Sequence, residues 1–219
     1  MFPNWAKSIL FLLVFMISGL VLAIIIDGLS TGTALTPLNT AVERIVVHLR
    51  TPFLTTLLVF VTRLGSSFFL SSVAVLVAVI LFIRGRVYEA ALFITVMMVT
   101  HISLSILKDT LQITRPGYGI IDTNGWSFPS GHTTVTTAFF FMLTHTFFGR
   151  MKTLGGRTVL ILGSILGTVS VSFSRLYLGA HWTLDILGGI ALGLMSVSFT
   201  ILMFNVFVEN RRSLRNRIK

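Results

Sequence analysis

Apolar runs of bilayer length alternate with short polar segments along the whole chain. A spanning helix needs about 20 mostly apolar residues. Ile9 to Ile26 is one such run, nearly free of polar groups. A signal peptide is the rival reading, but the run is too long for one and no small-x-small cleavage site follows, so a retained helix is expected. Leu38 to Leu49 reads as a short amphipathic helix at the membrane interface. Phe53 to Val61 is apolar but too short to span; it either joins that interfacial region or begins a helix broken near Gly65-Ser66-Ser67. Further spans are predicted over Phe68 to Ile83, Ala90 to Leu107, Thr133 to Phe148, Thr158 to Phe173 and Leu184 to Val208. Residues 109–128 form a polar loop rich in turn formers, with Pro116, Gly117, Gly119, Asn124 and Gly125. The expected fold is all-α: a six-transmembrane-helix bundle with a short interfacial helical region between spans one and two, in one domain over 1–219.

Composition agrees with a membrane bundle. Hydrophobic residues make up 54%, charged residues 11%, and mean hydropathy is +0.91. A soluble domain carries about 25% charged residues, so this chain lacks the polar surface to coat a water-soluble globule. A disordered chain, a collagen and a disulfide scaffold are excluded as well. With no cysteine, thiol redox chemistry and thiolate metal ligation are excluded. The net charge of +10 becomes a question of sidedness. Six spans put both termini on one side, with Lys7, Arg84, Arg86, Arg150, Lys152, Arg157, Arg211, Arg212, Arg215, Arg217 and Lys219, eleven of the seventeen Lys and Arg. The other six are Arg44, Arg50, Arg63, Lys108, Arg115 and Arg175. The positive-inside rule makes the termini cytoplasmic, although without the five tail charges the sides balance at six each. There is no internal repeat. Gly163/Gly167 and Gly189/Gly193 have the spacing of close helix packing.

Three polar clusters stand at helix ends on the outer side: Lys108 with Arg115-Pro116, then Pro129-Ser130-Gly131-His132, then Ser174-Arg175 with His181 and Asp185. Ionisable groups at membrane depth are costly and point to function. Taken singly, each also fits a structural role: a snorkelling lysine, a capped helix start, a headgroup anchor, an i,i+4 pair. Taken together they converge on one end of the bundle. Three cations and a Gly-containing helix start make an anion site suited to phosphate. Two histidines there suggest a nucleophile and a proton donor.

Lys-x6-Arg-Pro, Pro-Ser-Gly-His and Ser-Arg-x5-His-x3-Asp, in this order between Lys108 and Asp185, resemble the three-part motif of the type-2 phosphatidic acid phosphatase superfamily. Among its branches, the apolar chain is most similar to the bacterial integral-membrane phosphatidylglycerophosphate phosphatase B group. The resemblance implies that His181 is the nucleophile forming a phosphohistidine, that Asp185 holds its other ring nitrogen, and that His132 protonates the leaving oxygen and later activates water. It implies that Lys108, Arg115 and Arg175 hold the phosphoryl oxygens, with hydrogen bonds from Ser130 and the Gly131 N–H. Ser174 and Pro129 would shape the site. No metal and no cofactor is implied: the outer acids Asp27, Glu43, Asp109, Asp122 and Asp185 are too scattered for an obvious two-metal site.

The expected partners are a membrane lipid phosphate and the bilayer, with no nucleic acid and no obligate protein partner. The expected place is the bacterial inner membrane, with the site facing the periplasm or exterior. Phosphatidylglycerophosphate, phosphatidate, undecaprenyl diphosphate and lipid A phosphate are the candidate substrates. A lipid phosphotransferase would use the same motifs, and a non-enzymatic lipid-binding or transport protein would need no nucleophile. Only residues 117–128 separate Pro116 from Pro129, too few for a large lid, so selectivity falls to lateral clefts and the 27–67 region. His101, about 10 Å below Lys108 on the same helical face, is expected to make an interhelical polar contact. His145 is read as structural and His48 as interfacial. The nineteen phenylalanines are read as packing and lipid contact.

Overall fold

The apolar runs fold into α-helices, and the polar breaks between them supply the caps. The computed structural model describes residues 4–31 and 36–217, so Lys219 and residues 32–35 of the 27–67 region lie outside it. The described helices are α1 (Asn4–Ser30), α2 (Thr36–His48), α3 (Pro52–Leu64), α4 (Ser67–Ile83), α5 (Val87–Leu111), α6 (Gly131–Phe148), α7 (Leu154–Tyr177) and α8 (Thr183–Arg217). Among the described residues there is no strand.

Among the described residues four helices are long and apolar enough to cross a membrane: α1, α5, α7 and α8. The bent pair α3 and α4 makes a fifth crossing if taken as one span, bent by 44° at Gly65-Ser66. Phe53 to Val61 lies in α3, and a break at Gly65-Ser66 separates it from α4. Thr51 caps α3 at Leu54 N, Pro52 sits in its first turn, and Ser66 restarts the chain by capping Phe69 N. The break lets α7 in: a Cβ on Gly65 would stand 2.5 Å from the Val171 methyls. The predicted span over Thr133 to Phe148 is α6, which carries six threonines and two histidines and is not among the long apolar crossings. It packs inside the bundle against α4, α5, α7 and α8.

Helix ends differ from the hydropathy limits by a few residues. α5 runs on to Leu111, so Asp109 lies on the helix rather than in the polar loop, and α8 continues through the basic tail to Arg217. The helices meet through small residues. A Cβ on Gly193 would stand 2.8 Å from Thr134 O, one on Gly189 3.0 Å from Ser130 O, and one on Gly167 2.5 Å from the Phe140 ring. This close approach places the start of α6 against the start of α8. Gly163, the fourth small residue singled out, faces open space instead. The outer surface is apolar: Phe68 is 85% exposed and Leu154 80%. Water tolerates no such continuous apolar surface, and a bilayer does.

Candidate active site

The site is assembled from helix ends. α5 ends near Lys108, the 112–130 loop brings Arg115, and α6 opens at Gly131 and His132. α7 ends near Arg175, a short turn carries His181, and α8 opens with Asp185 in its first turn. Asp185 and Ser174 are fully buried, His181 nearly so, and Arg175 is 4% exposed.

Asp185 organises the centre. Its Oδ2 accepts from Trp182 N at 2.8 Å, from the Ser127 hydroxyl, and from His181 Nδ1 at 3.3 Å. A carboxylate only accepts, so Nδ1 carries the proton and the lone pair is on Nε2. Burial pulls the His181 pKa down to about 4; Asp185 opposes the shift and Arg175 and Arg115 add to it. At neutral pH the contact is therefore a hydrogen bond to neutral imidazole rather than an ion pair. His181 Nε2 faces Arg115 Nη1 at 3.4 Å.

Arg115 is the cation at this nitrogen; Arg175 acts on the same imidazole, and Lys108 lies in the field of Arg115, Asp185 and Arg175. Lys108 Nζ donates to Trp126 O at 2.5 Å and Ser127 O at 3.4 Å. Arg115 donates from Nε to Gly125 O (2.9 Å), from Nη1 to Ala180 O (2.7 Å) and from Nη2 to Asn124 O (2.9 Å). Burial lowers the Arg115 pKa, and the charge of Asp185 opposes this. Arg175 Nη1 donates to Thr62 Oγ1 at 3.0 Å, while its Nε is buried without a hydrogen-bond partner. None of the three cations belongs to a salt bridge among the described residues. His132 lies within their field and that of His181. One carboxylate thus stands among three cations in a poorly solvated place, a strong electrostatic demand for an added anion. A cleft of about 350 Å³, lined by Thr114, Arg115, Gly125 and Trp126, adjoins the site.

Lys108, Arg115, His132, Arg175, His181 and Asp185 are all brought to this end of the bundle. Ser130 is fully buried; its Oγ caps Thr133 N at 3.5 Å and its N–H donates to Asp185 O at 3.0 Å, joining α6 to α8. Gly131 opens α6 against Leu104 and Ser67. Ser174 Oγ turns back to Val171 O at 2.6 Å, away from the site. His101 makes its interhelical contact with Ser71 Oγ at 2.9 Å, beside an apolar cleft of about 340 Å³ between α4 and α5. His145 packs edge-on against Phe11 with ring centroids 5.2 Å apart. Among the described residues no three His, Cys, Asp or Glu side chains are grouped to hold a metal ion.

Sequence reasoning missed three contributors. Ser127 supports Asp185, Thr62 supports Arg175, and the Trp182 N–H fixes the carboxylate rotamer. Ser127 stands two residues before Pro129, and Trp182 lies between His181 and Asp185, so proximity was a usable signal for both. Nothing in the apolar α3 run marked Thr62.

The PAP2 superfamily matches over residues 89–209. Phosphatidylglycerophosphatase B of Bacillus subtilis (strain 168) is 28% identical over 162 residues, covering 71% of this chain and 77% of its own. The crystal structure of a transmembrane PAP2-type phosphatidylglycerolphosphate phosphatase from Bacillus subtilis is similar with a TM-score of 0.78 and 24% identity, covering 89% of this chain and 96% of that one. That of Aquifex aeolicus LpxE is similar with a TM-score of 0.57 and 25% identity, covering 75% and 94%.

Proposed function

The chain belongs to the PAP2 superfamily, and from that premise we propose that it is an integral-membrane lipid phosphatase working through a phosphohistidine at the outer membrane interface. It is a multi-pass membrane protein of a phosphatase family. One observation carries the finer reading: three half-buried or buried cations without salt bridges stand at the same end of the bundle as a neutral histidine whose Nε2 lone pair points at one of them, Arg115.

In this reading Lys108, Arg115 and Arg175 take the three non-bridging phosphoryl oxygens, where transition-state charge lies. Ser130 and the Gly131 N–H add hydrogen bonds. The His181 Nε2 lone pair forms the N–P bond as the P–O bond to the lipid breaks. His132 gives its proton to the leaving oxygen. Asp185 stabilises the imidazolium through Nδ1–H. His132 then takes a proton from water, whose oxygen attacks phosphorus; the N–P bond breaks and inorganic phosphate leaves. The cations supply the charge neutralisation for which other phosphatases use metal ions, so no metal is assigned.

The topology proposed with it has six spans: α1, the α3–α4 pair, α5, α6, α7 and α8, with α2 at the interface and all in one domain. The excess of Lys and Arg on the terminal side supports cytoplasmic termini and an outward-facing site in a bacterial inner membrane. Phosphatidylglycerophosphate is the first candidate substrate, supported by the name of the Bacillus subtilis relative. Undecaprenyl diphosphate, phosphatidate and lipid A phosphate follow. A panel of these lipids in mixed micelles, with purified protein and released phosphate as the readout, tests the proposal. Phosphate is expected from at least one lipid, without an acceptor lipid and undiminished by excess EDTA. Release from none overturns the phosphatase reading; a loss in EDTA that Mg²⁺ restores overturns metal independence.

A further inference from the structure

The corner between α2 and α3 lies outside the family match, yet it is fastened to the turn that carries His181. Arg50 Nε donates to Tyr177 O at 3.3 Å and Nη2 to Tyr118 O at 3.0 Å. Its guanidinium also lies 5.6 Å from the Tyr118 ring centroid. The two carbonyls belong to different segments. Tyr177 closes α7 four residues before His181, and Tyr118 follows Arg115 by three residues in the 112–130 loop.

Between those carbonyls the two segments touch through glycines. A Cβ on Gly179 would stand 2.8 Å from Gly119 Cα and 3.0 Å from Arg50 Nη2. Gly179 also has φ +67°, a conformation that glycine adopts without strain. One hydrogen bond, Ile120 N to Leu178 O at 3.0 Å, continues the contact. The corner itself is anchored, since the buried Tyr177 hydroxyl accepts from Thr51 N at 2.9 Å and pairs with Thr55 Oγ1 at 3.1 Å. Beyond the clamp, the Tyr118 ring meets Trp182 edge-on at 6.0 Å, and Trp182 N holds Asp185. A planar guanidinium can serve two carbonyls in fixed directions at once, which an ammonium on a flexible stem cannot.

From this geometry we infer that Arg50 is a positioning residue for the reaction. It clamps the segment bearing Arg115 to the segment bearing His181, and so holds the nucleophile at its distance from the cations. Its bonding partners are backbone carbonyls, so it acts through them and not on the substrate. The inference rests on His181 being the nucleophile, because what Arg50 positions is that turn.

The test is rapid-quench phosphorylation kinetics with steady-state kcat and KM. Arg50→Ala is expected to slow both phosphorylation and kcat by about 100-fold, the cost of a displaced reacting group, with KM nearly unchanged. Millimolar guanidinium should restore much of the lost rate, whereas a general folding defect would not respond to it. Arg50→Lys keeps the charge and stem and is the second variant: it should be slow and unresponsive to guanidinium. Arg44→Ala, on the exposed face of α2, should match wild type. Wild-type phosphorylation rates in both Arg50 variants would overturn the proposal, as would a rise in KM with kcat unchanged, which would make Arg50 a substrate-binding group. Absence of a phosphohistidine in wild type would instead overturn the nucleophile reading. If Arg50→Ala does not fold, the Arg50→Lys rate decides alone.

Discussion

Ser127→Ala isolates the support beneath the proposed nucleophile. The Ser127 side chain is fully buried, and its hydroxyl donates to the same Asp185 oxygen that accepts from His181 Nδ1 and Trp182 N. The substitution removes one oxygen and leaves the backbone bonds of Ser127, to Ile113 O at 2.7 Å and from Lys108 Nζ at 3.4 Å, in place. A hydrogen bond to a charged group is worth about 1.5–3 kcal/mol, and each 1.36 kcal/mol is tenfold in rate, so its full loss at the transition state would cost roughly 10–150-fold. Two effects compete. One fewer donor concentrates charge on Oδ2, which favours the imidazolium. Against that, the carboxylate loses one of its three fixed directions while the His181 contact is already long at 3.3 Å. Misplacing a catalytic group by about 1 Å costs about 100-fold, so orientation dominates. Trp182 N still holds Oδ2, which places the expected fall in kcat at about 10- to 50-fold, the lower part of that range. The assay is kcat and KM on a short-chain lipid phosphate, with thermal melting as the folding control and Asp185→Ala setting the floor at about 10⁴-fold. A folded Ser127→Ala enzyme within twofold of wild type would refute the orienting role.

Three further outcomes are expected. Thr62→Val takes the hydroxyl from Arg175 Nη1 and leaves a second unpaired donor on a buried guanidinium; kcat/KM should fall about 10-fold or more, from about 1.5 kcal/mol of lost charged hydrogen bonding, and an unchanged kcat/KM in melting-competent protein would count against Arg175 as a phosphate ligand. As pH falls through about 4, His181 takes a proton and loses its Nε2 lone pair, so kcat/KM, corrected for the substrate's second ionisation, should keep its activity down to about pH 5; an acid limb at the ordinary histidine value near 6.5 contradicts a buried neutral His181. For sidedness, Asp122→Cys and Gly155→Cys are both exposed single cysteines in a cysteine-free chain; an impermeant thiol reagent should label the first from outside spheroplasts and spare the second, and the reverse pattern would move the chemistry to the cytoplasmic face.

The spacing of apolar runs made most helices legible, because burial in lipid demands length and apolarity and leaves both in the sequence. The run Thr133 to Phe148 was legible as a helix too, but not the burial of its Thr133, Thr134, Thr136 and Thr137 among the neighbouring helices. The cations and histidines were legible because each stands at a helix end within a compact motif. What supports them was not. Arg50 and Tyr177 are 127 residues apart, and Thr62 and Arg175 are 113 apart. Such contacts depend on how α3 leans against α7, which the break at Gly65 and the methyls of Val171 decide together. No local pattern encodes that meeting.

A covalent intermediate on His181 would accumulate in His132→Ala, which lacks the proposed proton donor and water-activating base. With a nitrophenyl phosphate ester the leaving group needs no proton, so the first step should proceed and the second should stall. Quenching into alkali, where a phosphohistidine persists, followed by peptide mapping, then locates the phosphoryl group. A burst of nitrophenol is expected with the phosphoryl group on His181, and no burst when His181→Ala is added. A burst with the group on another side chain, or nitrophenol and phosphate released together with no burst, would contradict it.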